Sequence, residues 1–119
     1  MTGDLSRTVA DLVQRVGKAR GALLMGLDGV PIEQAAPGAG ADLESLAGEY
    51  AGPLRQAQTL AAELDLGAAQ GFSVRAASHQ VVFVFASGDL ILGVEAGATG
   101  LRGQMRHALA QARGQLGEL

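Results

Sequence analysis

The sequence contains no cysteine and no tryptophan, and its aromatic residues are one tyrosine and three phenylalanines among 119 residues. Without cysteine there can be no disulfide, no thiol nucleophile and no thiolate-bound metal, and the composition suits a cytoplasmic address. No stretch approaches the roughly 20 apolar residues that cross a bilayer, so no membrane insertion is expected. Met1-Thr2-Gly3-Asp4 has no basic region leading into an apolar segment, and no signal peptide is expected. Positive charge is not in excess: the net charge is −3 and the pI about 5.2, which argues against nucleic acid as a partner. What remains is a single domain spanning residues 1–119, long enough to bury a core.

The stretch Gly21–Glu33 organises that domain. Asp28-Gly29 lies between apolar runs, the pattern of a tight hairpin with a primed turn that needs positive φ. Leu23, Leu24, Met25 and Leu27 are apolar without clean alternation, so the first strand should be covered on both faces. Val30-Pro31-Ile32 differs, because Pro31 has no N–H for a ladder and belongs at a sheet edge.

Before the hairpin, Leu5, Val9, Leu12, Val13 and Val16 recur at helical spacing, which predicts a helix over 4–19 capped by Asp4. After it, Ala36–Ala41 is a loop and Asp42 caps a long helix carrying Leu43, Leu46, Tyr50, Leu54, Ala57, Leu60, Ala61 and Leu64, closed by Gly67. Gly52-Pro53 in its middle predicts a kink near 49–53, or two helices with a joint there. Phe72–Ala76 alternates as a half-exposed strand, and Ser78-His79 is a turn. Val81–Phe85 and Leu90–Val94 are apolar throughout, as central strands are, with Ser87-Gly88-Asp89 turning the chain between them. Leu101 to Leu116 closes the chain as a helix, with Thr99 as its cap. The fold class is therefore α+β: a five-stranded antiparallel sheet of order 2-1-5-4-3, counting strands along the chain, with the first and last helices on one face and the long helix on the other.

Little of this carries reaction chemistry. His79 and His107 have no further histidine or cysteine to complete a metal set, and no cofactor is expected. Asp28 before Gly29 reads as a turn former, and Ser73 and Ser87 have no nucleophile-elbow pattern around them. Gly93, Gly97, Gly100 and Gly103 approach the last helix beside Arg102, a place where phosphate can bind, yet neither a Walker nor a dinucleotide pattern is present. An enzyme built on Asp28, Glu33 or Asp89 has no positive support. Charge is uneven: the long helix carries Asp42, Glu44, Glu49, Glu63 and Asp65 against Arg55, while the other two carry Arg7, Arg15, Lys18, Arg102, Arg106 and Arg113 against Asp4, Asp11 and Glu118.

The element order, Ala22-Leu23-Leu24 followed by Asp28-Gly29-Val30-Pro31-Ile32, and the segment Gly88–Val94 running on into Leu101-Arg102 resemble the roadblock / dynein-light-chain family, in its bacterial MglB-like branch. The resemblance spans Leu5 to Leu116. It implies a profilin-like sandwich, a homodimer, and a non-enzymatic role beside a Ras-like small GTPase, as an activating or localising factor. The alternative is a small-molecule-sensing or signalling adaptor module on the same profilin-like fold. A dimer is also expected from the sheet itself, since the strand 72–77 lacks proline and lysine and leaves an open edge. Its interface would draw on Tyr50, Leu54, Ala57, Phe72, Ser73, Val74, Arg75 and Ala76. A GTPase-facing surface is expected on the acidic side of the long helix, at Glu44, Glu49 and Arg55.

Overall fold

A computed structural model describes residues 2–38, 42–86, 89–100 and 102–117. The elements are α1 (Thr2–Arg15), β1 (Ala19–Gly26), β2 (Pro31–Ala35), α2 (Leu43–Glu63), β3 (Gly71–Arg75), β4 (His79–Phe85), β5 (Leu90–Gly97) and α3 (Arg102–Gly117). The expected turn at Ser87-Gly88, the loop residues Ala39 to Ala41, and Leu101 fall outside the described residues.

The five strands form one antiparallel sheet in the order β2-β1-β5-β4-β3, so the proline strand is at one edge and the alternating strand at the other. Successive side chains alternate between faces. Ala22, Leu24, Val82, Leu92, Val94 and Ala96 turn to one face and pack under α1 and α3, against Val9, Leu12, Met105 and Leu109. Leu23, Met25, Val81, Phe83, Phe85 and Ile91 turn to the other and pack under Leu43, Ala47, Ala51 and Leu54 of α2. Both faces are thus covered, which is why β1, β4 and β5 are apolar at nearly every position. Phe83 anchors the α2 face; a Cβ on Gly93 would stand 2.7 Å from its ring, so glycine there makes room for the phenylalanine.

Several local details depart from the sequence reading. The β1–β2 turn is not primed. Gly29 N–H donates to the Gly26 carbonyl at 3.1 Å, Gly26 N–H donates to the Val30 carbonyl at 3.3 Å, and of the turn residues only Gly29 has positive φ, at 84°. That pattern is an ordinary turn followed by a glycine bulge, and a separate register shift follows between Leu24 and Met25, beside Pro31. Asp28 Oδ1 accepts from Val30 N–H at 3.1 Å, so Asp28 is the turn former it was read to be. α1 begins at Thr2, so Asp4 lies inside the first turn rather than capping it. Lys18 takes φ 65° and lets β1 begin at Ala19. His79 belongs to β4, not to a turn.

α2 is one helix, unbroken through Pro53, and not two with a joint. Gly52 contributes here: the clash of a proline ring with the preceding residue falls partly on that residue's Cβ, which glycine lacks. The helix ends at Glu63 in a Schellman motif. Leu66 N–H donates to the Ala61 carbonyl at 2.9 Å and Asp65 N–H to the Ala62 carbonyl at 3.2 Å, with Asp65 at φ 56°. The left-handed residue that closes the helix is therefore Asp65, with Gly67 two residues further on. At the other end Asp42 caps as expected: Ser45 donates its N–H to Oδ1 at 3.2 Å and its hydroxyl to Oδ2 at 2.8 Å. Those two bonds hold the Asp42 carboxyl below its ordinary pKa.

Candidate functional site

Two parts of the surface converge at the β3 edge. The first is the strand. Ala76 N–H donates to the His79 carbonyl and Phe85 N–H to the Gln70 carbonyl, which sets the phase of the β3–β4 ladder. In an antiparallel pair hydrogen-bonded positions alternate, so Phe72 and Val74 spend their backbone groups on Phe83 and Val81. The N–H and C=O groups of Gly71, Ser73 and Arg75 point away from the sheet and, among the described residues, are left to pair with another strand.

The second is a flank of α2. Its inner side, Leu43, Ala47, Ala51 and Leu54, lies on the sheet. A second apolar row, Leu46, Tyr50, Pro53, Ala57, Leu60 and Leu64, repeats at alternating steps of four and three residues. That spacing makes a continuous seam along a helix that packs against another helix. Tyr50 fixes which way the seam faces, because its ring lies 6.2 Å from Phe72 of β3 and 5.1 Å from Phe83 of β4, centroid to centroid. The seam therefore runs on the β3 side of α2. Beyond Tyr50 it is bare: Leu60 is 45% exposed and Leu64 64%, and Val74 on the same face of β3 is 38% exposed. Six turns of helix, an aromatic anchor and an open strand share one side of the molecule.

The structure sorts the residues expected at an interface. Tyr50, Ala57, Phe72, Val74 and the backbones of Ser73 and Arg75 lie at this edge. Leu54 does not; it is 0% exposed and packs beneath its own helix on the sheet, so the sequence reading of an intersubunit Leu54 is corrected. Its place in the seam is taken by Pro53, one step round the helix. Ala76 is exposed just past the strand end, its N–H already held by His79. Pro53, Leu60 and Leu64 were missed as surface residues, although their four-and-three spacing was readable once two apolar rows were sought instead of one.

The three residues expected to face a GTPase fall on two sides of α2. Glu44 and Arg55 are eleven residues apart, within about 20° around the helix. Arg55 lies over the β1–β2 turn, where its guanidinium donates to the Leu27 carbonyl. Glu49 is about 140° from Glu44 and borders the apolar seam. All three are exposed.

Elsewhere, Gln80 is 2% exposed, and its Nε2 donates to the carbonyls of Gly97 and Gly100 at 3.1 and 2.8 Å. It clamps the loop before α3, a role the sequence did not reveal. Thr99 accepts from Lys18 Nζ at 2.8 Å, so its hydroxyl is tied to the connection between α1 and β1. His79 Nε2 accepts from Arg20, and His107 is exposed on α3. Among the described residues no group of three or more acidic, histidine or cysteine side chains could hold a metal ion.

A five-stranded antiparallel sheet between one helix and a pair, with one edge open beside an apolar helix flank, is a profilin-like architecture. The chain belongs to the Roadblock/LC7 domain family, whose model matches residues 5–96. In structure it is similar to MglB of Myxococcus xanthus, with TM-score 0.88 and 18% identity over 98% of this chain and 87% of that one. A Roadblock/LC7 domain from Streptomyces avermitilis gives TM-score 0.85 and 20% identity, covering 97% and 96%. Profilin IB of Acanthamoeba castellanii gives TM-score 0.65 and 17% identity, covering 94% and 95%. Among curated proteins none matches by sequence. At such identities the likeness establishes the fold, and no helix of the described residues is long and apolar enough to cross a membrane.

Proposed function

We propose that the chain is a non-enzymatic homodimeric regulator or scaffold of a Ras-like small GTPase. The observation that carries this is the open β3 edge beside the bare seam of α2, in a chain of the Roadblock/LC7 family. Two copies related by a two-fold axis pair β3 with β3 antiparallel through Gly71, Ser73 and Arg75, joining the sheets into one of ten strands. The same axis brings the two α2 helices together along Tyr50, Pro53, Ala57, Leu60 and Leu64. Burying Leu60 and Leu64 contributes about 1–2 kcal/mol each, scaled down from full leucine burial because both are partly covered already.

The paired helices then form one continuous surface with acidic borders, which we assign to the GTPase. Glu44 and Arg55 sit on its flanks and Glu49 beside its centre. Rim charges of this kind act mainly on the rate of encounter and on its salt dependence. The test is association with a purified Ras-like GTPase from the same genome, followed by stopped flow over a range of salt for the wild-type chain and the double variant Glu44→Lys/Glu49→Lys, with GTP hydrolysis read in the same samples. Association that slows in the double variant and loses its salt dependence supports the surface. Unchanged association and salt dependence refute it.

A second reading has one observation behind it. A cleft of about 440 Å3 lies between the end of α2 and the end of β4, lined by Ala61, Ala69, Phe85 and Ala86 with Gln58 and Arg113 at its rim. A small-molecule-sensing module would use it, and native mass spectrometry of the purified protein would reveal the ligand.

A further inference from the structure

The opposite face of the β3 edge carries charge that neither the dimer seam nor the GTPase-facing helix uses. A groove of about 400 Å3 runs there between β3 and α3, with Val82 and Val84 of β4 at its floor. α3 contains three arginines and no acidic residue over Arg102–Gly117. Arg102, Arg106 and Arg113 fall within about 40° of one another around the helix and extend over about 16 Å of its length. Arg106 and Arg113 line the groove. Arg102 leads the row, its Nη2 donating to Ser73 Oγ at 3.3 Å and its Nε–H buried without an acceptor. Strand alternation sets Arg75 on the same face as Ser73.

Among the described residues the side-chain hydrogen bonds of these guanidinium groups go to neutral oxygens: Arg75 to the Ala98 carbonyl, Arg102 to the Ser73 hydroxyl, Arg113 to the Gln70 amide oxygen. The acids of α1, Asp4 and Asp11, lie on the far flank of α3 beside Gln115. Arg102 and Arg106 also occupy the first turns of α3, where the helix dipole is already positive and like charge is unfavourable. A sequence that breaks a local rule without a compensating partner in its own fold does so most often at a functional site.

We propose that this groove receives an acidic peptide segment of a partner protein, with its carboxylates on the arginine row and an apolar side chain on the Val82–Val84 floor. Two walls admit a chain and hold a flat bilayer surface away from the floor, so the occupant is a peptide rather than a membrane. The groove is on the face opposite the α2 seam, and the proposal stands or falls separately from the GTPase reading.

The probe is a fluorescein-labelled peptide of glutamates interrupted by leucines, followed by fluorescence polarisation, with a lysine-for-glutamate version and phosphatidylserine vesicles as comparisons. The acidic peptide should bind the wild-type chain, and more weakly as salt rises. Arg106→Glu and Arg106→Ala should each weaken it about tenfold or more, Arg106→Lys should retain most of it, and Arg7→Glu on α1 should leave it unchanged. Sedimentation of each variant reports folding and oligomeric state in the same samples. The proposal is overturned if the acidic peptide does not bind, if the lysine peptide binds equally, if neither Arg106→Glu nor Arg106→Ala weakens binding, or if only the vesicles bind.

Discussion

At one edge of the sheet, β2 presents Pro31, which has no N–H, and a ladder that slips register beside it. At the other, β3 presents three unobstructed backbone positions, Gly71, Ser73 and Arg75, in a strand with no proline and no bulge. The two edges also differ in what stands next to them. Beside β2 the flank of α2 is closed down onto the β1–β2 turn, with Gly29 against Ala47, Gly48 and Ala51 and Arg55 bonded to the Leu27 carbonyl. Beside β3 the other flank of the same helix is an unmatched apolar seam. One helix thus closes over the turn at the end of one edge and leaves the other edge ready to pair, and the identity of the edge residues decides which edge can pair.

The largest way to break this contrast is through the core that supports the β3 side. Phe83 is fully buried and carries both Tyr50 and Phe72. Phe83→Ala should cost about 3–5 kcal/mol in chemical denaturation, while Ile32→Ala, on the exposed β2 edge, should stay within about 0.5 kcal/mol. Gly93→Ala forces a methyl against the Phe83 ring and should cost about 1–3 kcal/mol in the same measurement.

Proline scanning sharpens the contrast at the backbone. Ser73→Pro removes an outward N–H and should convert a dimer to a monomer with the protomer still folded. Val74→Pro removes an inward N–H that belongs to β4, and should lower the melting temperature of the protomer itself. Equal effects on assembly and on folding by both variants would refute the assigned phase. Along the seam, Leu60→Ser should weaken dimerisation about tenfold, read from the concentration dependence of sedimentation. The smallest effect is at the Asp42 cap. Its folded pKa is depressed, so its contribution is complete above the ordinary carboxyl value of 3.8 and is lost as pH falls through the lower folded value. The melting temperatures of wild type and Asp42→Ala should therefore differ at pH 7 and converge in strong acid.

The coarse architecture was legible because it rests on patterns with one physical cause each. Pro31 could only be an edge, and unbroken apolar runs at Val81–Phe85 and Leu90–Val94 could only be central, so the sheet order followed. What stayed hidden depended on phase and on competition between neighbours. Asp28-Gly29 serves a primed turn or a bulged one, and the choice shows only in the folded backbone, where Gly26 bonds both Gly29 and Val30 and Gly29 takes positive φ while Asp28 does not. Leu54 and Leu60 are both leucines of one helix, and which faces the sheet depends on how the helix is rolled over Phe83. Gln80 reads as a polar residue before a strand, and its role as a clamp exists only once the loop at Gly97–Gly100 has folded back over it.

Sedimentation equilibrium of the wild-type chain at micromolar concentration tests the central claim, that the open edge and the bare seam are one interface. The account predicts a species of twice the 12.1 kDa chain mass, returned to one chain mass by Ser73→Pro. A wild-type chain that sediments at 12.1 kDa across that range contradicts it.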